Sequence, residues 1–489
     1  MSPLLSAQEY LFLLAGFGLA MIAFVWIRTH NEQHADGFLV ADRQVPLISG
    51  MLTIAISWCW ADLYFVASQQ AYLDGWGGIF WFAFPSFFCF VLFGYVGQRL
   101  RGYMPMGYSL PDFITLRFNK NKFVHMAYTL VGILFQICVL GLNATIAGFL
   151  FETVAGVDAT VSAVSMTFIA LAYSLLSGLK ASIFTDIIQT AIMVLGAFIL
   201  LPWALLEIGG FSALLNSFDG IEGNRTGMLD WHIIWNFGIL MAITQFTLPV
   251  VDQMFFQRAM AIKDKTKILT IFTGAGVYAS LAVIIFGLFG VIGAHLVQMD
   301  NVPAFDDPQM SLVGAIGTLL PETALYLLTV MFFACVFSTS DSAFCAIASL
   351  GSVDIYKRYV APDAVDKRLL KAARITMIIA SIFAIAIALL KFKILWMLFI
   401  LGNIATAAFT PTLFAIFSKK ANGTITAFAI IISLIICAPI FIYGNINERT
   451  DLLIVSSLGS LILGFLICWI GTLFRPDKTF EFEQLKSQV

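Results

Sequence analysis

Charge is scarce in this chain: Asp, Glu, Lys and Arg make up 11% of its 489 residues, while 60% are hydrophobic. A soluble domain clothes its surface with about 25% charged residues, so that class is excluded. Cysteine chemistry is thin as well. Cys59, Cys89, Cys138, Cys335, Cys345, Cys437 and Cys468 all fall inside apolar stretches, without a CxxC pair. That pattern speaks against a disulfide framework or a zinc centre. The five histidines are scattered without metal-ligand spacing, and none stands with Ser, Cys or an acid in a readable nucleophile motif, so no enzyme and no cofactor is expected. A net charge of −2 gives no sign of a nucleic acid partner, and no obligatory protein partner is evident.

What is abundant is apolar sequence long enough to cross a hydrocarbon core of ~30 Å. Such runs lie near 8–27, 47–73, 78–98, 123–153, 158–178, 182–208, 232–256, 268–297, 322–350, 372–390, 394–418, 423–443 and 452–474. The chain therefore reads as an all-α polytopic membrane protein with about 13 transmembrane helices. Basic residues test that order. With the N-terminus outside, alternate connections gather the Lys and Arg on the inner side, Arg258 among them, and leave only Arg225, Lys391, Lys393 and Arg449 of the 27 outside. Lipid and translocation machinery impose that asymmetry, so the expectation is a multi-pass plasma (cell inner) membrane protein with a cytoplasmic C-terminus. The first run lacks a basic n-region and leads into Arg28, which reads as a retained helix rather than a signal peptide.

The connections are too short to hold a soluble domain, so residues 1–489 read as a single membrane domain. Within it, ACVFSTSDSAFC sets Ser338, Thr339, Asp341 and Ser342 in an apolar run. At helical spacing Ser338, Asp341, Ser342 and Cys345 share one face. An ionisable group at membrane depth costs roughly 2.5–3.5 kcal/mol, which calls for a cavity, a partner or an ion. Two other spans look broken: SWCWADLYF carries Asp62 mid-span, and QFTLPVVDQ carries Pro249 and Asp252. Helix breaks survive in a membrane where the freed backbone lines a cavity, and matched breaks in two halves mark a transport site. The five-span interval between them suggests two inverted five-helix repeats, 47–209 and 231–418, with an extra helix at 8–27, two C-terminal helices over 423–474 and a cytoplasmic tail at 475–489.

Five segments in order, GFLVADRQVPL, SLPDFITLRFN, SGLKASIFTDIIQ, DQMFFQRAMAIKDK and FSTSDSAFCAIASLGSVDIYKRY, resemble the sodium/solute symporter family, and SWCWADLYFVASQQAYLDGWGGIFWF is most similar to its urea-type branch. The resemblance implies a LeuT-like fold, the two repeats opening with broken helices. It also implies a sodium site built from the carbonyls of Ile56, Cys59 and Cys335 and the hydroxyls of Ser338 and Thr339. A second cation or a proton is implied at Asp186, Asp341 and Ser342. The alternative is that Asp186 anchors its helix near the inner surface while Asp341 pairs with a basic residue such as Lys180.

Solute contacts are expected between the two breaks, from Asp62, Tyr64, Gln69, Gln70, Trp81, Phe82, Gln245, Asp252, Gln253 and Asn403. A wall of amides and aromatics suits a small polar neutral solute, whereas Asp62 invites an amine or a proton. The expected function is a Na+-coupled symporter importing a small polar organic solute across the bilayer by alternating access. An H+-coupled symporter of the same fold is the alternative, followed by a solute sensor or channel; a sensor would need an output domain larger than the segment after Arg475.

Overall fold

A computed structural model describes residues 5–29, 34–221 and 227–487; Arg225, assigned to the outer side above, lies outside them. Twelve described helices are long and apolar enough to cross a membrane, and Leu47–Trp58 is a shorter apolar helix. In chain order the elements are α1 (Ala7–Thr29), α2 (Ala35–Val40), α3 (Leu47–Trp58), α4 (Ala61–Tyr103), α5 (Leu110–Arg117) and α6 (Lys122–Ala155). They continue with α7 (Ala159–Ser177), α8 (Leu179–Glu207), α9 (Trp231–Val251), α10 (Gln253–Ala261), α11 (Ile268–Gln298) and α12 (Ser311–Leu319). The last are α13 (Glu322–Val360), α14 (Asp366–Ala388), α15 (Ile394–Phe417), α16 (Gly423–Ile446) and α17 (Thr450–Phe474).

The difference between twelve helices and the expected thirteen spans lies in α4. Its 43 residues would run for roughly 65 Å as one rod, twice the thickness of a hydrocarbon core. Gly75, at φ 59° and ψ −135°, breaks the run, and a Cβ on Gly78 would collide with the Gln70 carbonyl oxygen. Residues eight apart in a straight helix stand about 12 Å apart, so the chain doubles back here. Residues 61–74 thus complete the pass that α3 begins, and the remainder of α4 returns against α11, where Phe93 meets Phe272 with ring centroids 4.9 Å apart.

Both expected breaks are present, each with its own local cause. After α3, Cys59 leaves the helix at φ −72° and ψ 68°, and the Trp60 amide donates to the Trp58 carbonyl at 2.7 Å. That turn releases the Ile56 carbonyl from its helical donor. In the second break Pro249 stays inside α9 but lacks the amide that would bond to the Gln245 carbonyl. The helix ends three residues later at Asp252, whose carboxylate caps α10 by accepting from the Met254 amide at 2.8 Å.

One end of the bundle is closed by α2, α5 and the segment after α17. Arg117 of α5 donates to the Ala415 and Ser418 carbonyls at 3.2 and 2.6 Å, and its guanidinium lies 4.4 Å from the Phe480 ring. The C-terminal segment is thereby held under the helices that carry the core.

Candidate functional site

Two features meet in the middle of the bundle, a cluster of oxygen ligands around two carboxylates and a small cavity at the first break. In the cluster, α8 contributes Ser182, Thr185 and Asp186, and α13 contributes Ser338, Asp341 and Ser342, in both cases at i, i+3, i+4 so that each trio shares a face. Ser338 donates to Asp186 Oδ1 at 2.5 Å, and Thr53 of α3 donates to Asp186 Oδ2. Asp341 accepts from Ser182 at 2.7 Å, Tyr173 at 2.8 Å and Thr185 at 3.2 Å. Ser182 also stands 3.5 Å from Asp186 Oδ2. The Ser182 hydroxyl thus donates to Asp341 and stands between the two acids.

Arg258 of α10 enters this cluster from the second break. Its Nη2 is 3.2 Å from Asp186 Oδ2, 3.2 Å from Ser182 Oγ and 2.7 Å from Ser342 Oγ, while its Nε donates to Thr53 at 3.1 Å. Only 1% of Arg258 is exposed, which corrects its assignment to an aqueous inner loop. Two carboxyl groups face one guanidinium, an arrangement that a low-dielectric interior accommodates when a proton or a second cation joins it. The anchoring alternative is corrected too: Lys180 pairs with Asp42 at 2.7 Å, and Asp186 is fully buried.

Of the expected sodium ligands, Ser338 is bonded to Asp186. Cys335 directs its thiol onto the Cys59 carbonyl, and the Thr339 hydroxyl is buried without a partner. A partnerless hydroxyl and the Ile56 carbonyl released at the first break are oxygens of the kind that replace a hard cation's hydration shell, whereas the Cys59 carbonyl is taken by the Cys335 thiol.

The cavity holds about 10 Å³ and is lined by Trp58, Trp60, Asp62 and Leu63 at the first break, Phe82 of α4, Gln245 and Leu248 of α9, and Leu398 of α15. That is room for no more than a single water, so no organic solute fits the cavity as it stands. Of the expected solute contacts, Asp62, Phe82 and Gln245 are here. The others are elsewhere. Tyr64 packs on Phe286 and Phe332 and points its hydroxyl at the Met193 sulfur. Trp81 donates to the Met228 carbonyl at 2.7 Å, Gln69 and Gln70 sit two turns beyond Asp62, and Asn403 turns to Ser456 at 3.1 Å. Asp252 caps α10 and accepts from Gln136 at 2.7 Å.

Gln253 serves the closure of the α5 end. It accepts from the Leu110 amide at 3.2 Å and donates to the Tyr108 carbonyl at 2.9 Å, joining the start of α10 to the segment before α5. Alongside, Ser109 donates to Asp354 at 2.7 Å, and Asp354 faces His125 at 3.2 Å. Arg358 reaches Asp112 at 3.1 Å. Together these contacts tie α5, α6, α10 and α13 into one latch.

Reading along the sequence missed Arg258, Thr53, Ser182, Thr185 and Tyr173 in the cluster, and Trp58, Trp60, Leu63, Leu248 and Leu398 in the cavity. The helical spacing of Ser182, Thr185 and Asp186 is a signal that could have found them. Nothing local in QMFFQRAM distinguishes a buried arginine from one in a basic loop.

The family model for the sodium:solute symporter family matches residues 38–432. The urea active transporter of Saccharomyces cerevisiae is 22% identical over 79% of this chain, and the match spans 56% of the yeast protein's length. The urea-proton symporter DUR3 of Oryza sativa is 21% identical over 97% of this chain and 72% of its own. Among solved structures, a Na+-coupled sialic acid symporter in a substrate-bound outward-open state superposes with a TM-score of 0.79 at 19% identity, covering 96% of this chain and 99% of that one. At that identity the likeness establishes the fold, a helical LeuT-like bundle.

Proposed function

This chain belongs to the sodium:solute symporter family, and we propose that it imports a small polar organic solute by coupling it to a cation, in the first place Na+, through alternating access. The observation that carries this reading is the juxtaposition at mid-bundle of two helix breaks, a small cavity between them and a cluster whose acids exceed its bases by one. Ile56, Cys59, Cys335, Ser338 and Thr339 would take the cation, the breaks would hinge, and the cavity between them would take the solute. At about 100 mV each co-transported charge supplies ~2.3 kcal/mol, enough to concentrate a neutral solute roughly fifty-fold. The latch around Gln253, Ser109, Asp354 and Arg358 would be the cytoplasmic gate, in keeping with the basic residues gathered at that end and with an outer N-terminus.

A proton in place of Na+ is the second reading. It is favoured by the surplus charge at Asp186 and Asp341, which one proton would neutralise as well as one sodium ion, and by the urea-proton symporter among the relatives.

Uptake into proteoliposomes separates the two. Radiolabelled urea, proline, pantothenate, sugars and nucleobases are offered under an imposed Na+ or H+ gradient, to wild type and to Ser338→Ala and Asp341→Asn. Accumulation driven by Na+ and abolished in Ser338→Ala supports the sodium site. Accumulation driven by H+, indifferent to Ser338→Ala and lost in Asp341→Asn, transfers coupling to the acids. Equilibration without accumulation under either gradient overturns symport in favour of a channel.

A further inference from the structure

The central cavity has an electrostatic character that a urea-like solute does not explain. Asp62 is 3% exposed, and among the described residues no Lys, Arg or His forms an ion pair with it. Its carboxyl group stands in the first turn of its own helix, where the helix N-terminus favours an anion, and it lines the cavity.

The other polar side chain on the wall, Gln245, offers an acceptor as well as donors. The Gln245 Oε1 is buried without a partner. Of the two indoles on the wall, Trp60 Nε1 donates to the Ser57 carbonyl at 2.8 Å. A solute N–H therefore meets two acceptors on this wall, the Asp62 carboxyl group and Gln245 Oε1. Trp58 and Trp60, with ring centroids 5.5 Å apart and tilted by 51°, and Phe82 form an aromatic corner beside Asp62. Ring faces in a desolvated site attract positive charge, and indoles attract it most.

We infer that the solute is a small organic monocation carrying N–H groups, an amine, amidine or guanidine, with Asp62 as its counter-charge, Gln245 accepting one N–H and the two indoles covering its face. The inference rests on the central cavity being the solute site. It also assigns the cavity's expansion: Trp58, Trp60 and Asp62 flank the first break and Gln245 precedes the second, so the two hinges carry the binding groups apart to admit the ligand and together to enclose it. The coupling acids stay separate, since the Asp186 and Asp341 hydrogen bonds run to α3, α7, α8, α10 and α13 and do not include Asp62.

Guanidinium and urea are near-isosteric and differ by one charge, which makes them the discriminating pair. The test is a tryptophan-fluorescence titration of the purified full-length protein in NaCl with millimolar guanidinium, methylguanidinium, methylammonium and urea, for wild type, Asp62→Asn and Asp62→Glu. Saturable binding of a monocation at least tenfold tighter than urea, weakened at least tenfold in Asp62→Asn and partly restored in Asp62→Glu, is the expected result. Thermal unfolding of Asp62→Asn with and without Na+ verifies that the variant is folded. Tighter binding of urea than of every cation, or a folded Asp62→Asn with unchanged cation affinity, overturns the inference. Proteoliposome uptake of the same compounds separates the two levels: cations that bind but never accumulate leave the cation site standing and remove symport, whereas accumulation of urea without cation binding does the reverse.

Discussion

Arg258 Nη2 lies 3.2 Å from Asp186 Oδ2, with 1% of the arginine side chain and none of the aspartate's open to solvent. The pair joins α10, just past the second break, to α8, and through Thr53 it reaches α3, just before the first. Both breaks are thus referred to one ion pair.

Removing one partner of a buried pair costs about 3–5 kcal/mol, because the other charge is left uncompensated. Arg258→Met should therefore lower stability by that amount and make the protein more dependent on added cation. Arg258→Met combined with Asp186→Asn should recover part of the loss. Thermal unfolding in detergent across a Na+ series measures both. Equal, additive losses in the double variant would mean that the two residues are not coupled.

The fold-back in α4 rests on Gly75. Its φ of 59° is disfavoured for L-residues, and an added Cβ would run into the Phe218 carbonyl. With ψ at −135° the residue lies outside the left-handed helical region too, in backbone space that glycine alone enters readily. Gly209 has a φ of 94° with nothing within 4 Å of the place a Cβ would take, so Gly209→Ala should show that conformational cost alone. Gly75→Ala should be destabilised well beyond it, and comparison of the two unfolding temperatures isolates the clash.

Gln253→Ala should loosen the latch by stranding the Leu110 amide and the Tyr108 carbonyl. An unsatisfied buried polar group costs about 1–3 kcal/mol, which shifts the ratio of closed to open gate by roughly 5–150-fold. A cysteine placed at Ser109 should react faster with a membrane-impermeant thiol reagent in this background. An unchanged rate would remove Gln253 from the gate.

The same latch should respond to pH through Asp112. Burial pushes its carboxyl above the ordinary range, the nearby Asp354 adds to that, and Arg358 works against it. The closed gate therefore holds a proton on Asp112 more tightly than an opened, hydrated loop does. Proton uptake accompanies closing, so closure is strengthened as pH falls from neutral toward the carboxylate range and weakened as pH rises. The labelling rate at Ser109→Cys should fall on acidification, and Asp112→Asn should flatten that dependence.

Residue spacing disclosed much of this architecture. The apolar runs marked the passes, and the trio Ser338, Asp341 and Ser342 announced a polar face inside a buried helix, because periodicity within one helix is a local property. The break at Asp252 was signalled three residues early by Pro249, whose missing amide weakens the turn before the helix ends. Gln253 and Asp62 show where local reading stops. Both are polar residues beside a break, yet Gln253 turns to the α5 loop while Asp62 faces the cavity, and the direction is set by which neighbouring helix stands there.

Composition and pattern by themselves determined that this chain spans a membrane as a helical bundle with two interrupted passes, since hydrocarbon thickness and backbone hydrogen bonding act on each segment separately. Only the tertiary structure decided that Arg258 leaves the basic loops to pair with Asp186, that Asp341 shares Ser182 with it, and that Trp58 and Trp60 close around Asp62. Those contacts join residues far apart in the chain, and their energies depend on burial and mutual distance, which exist only after the helices have packed.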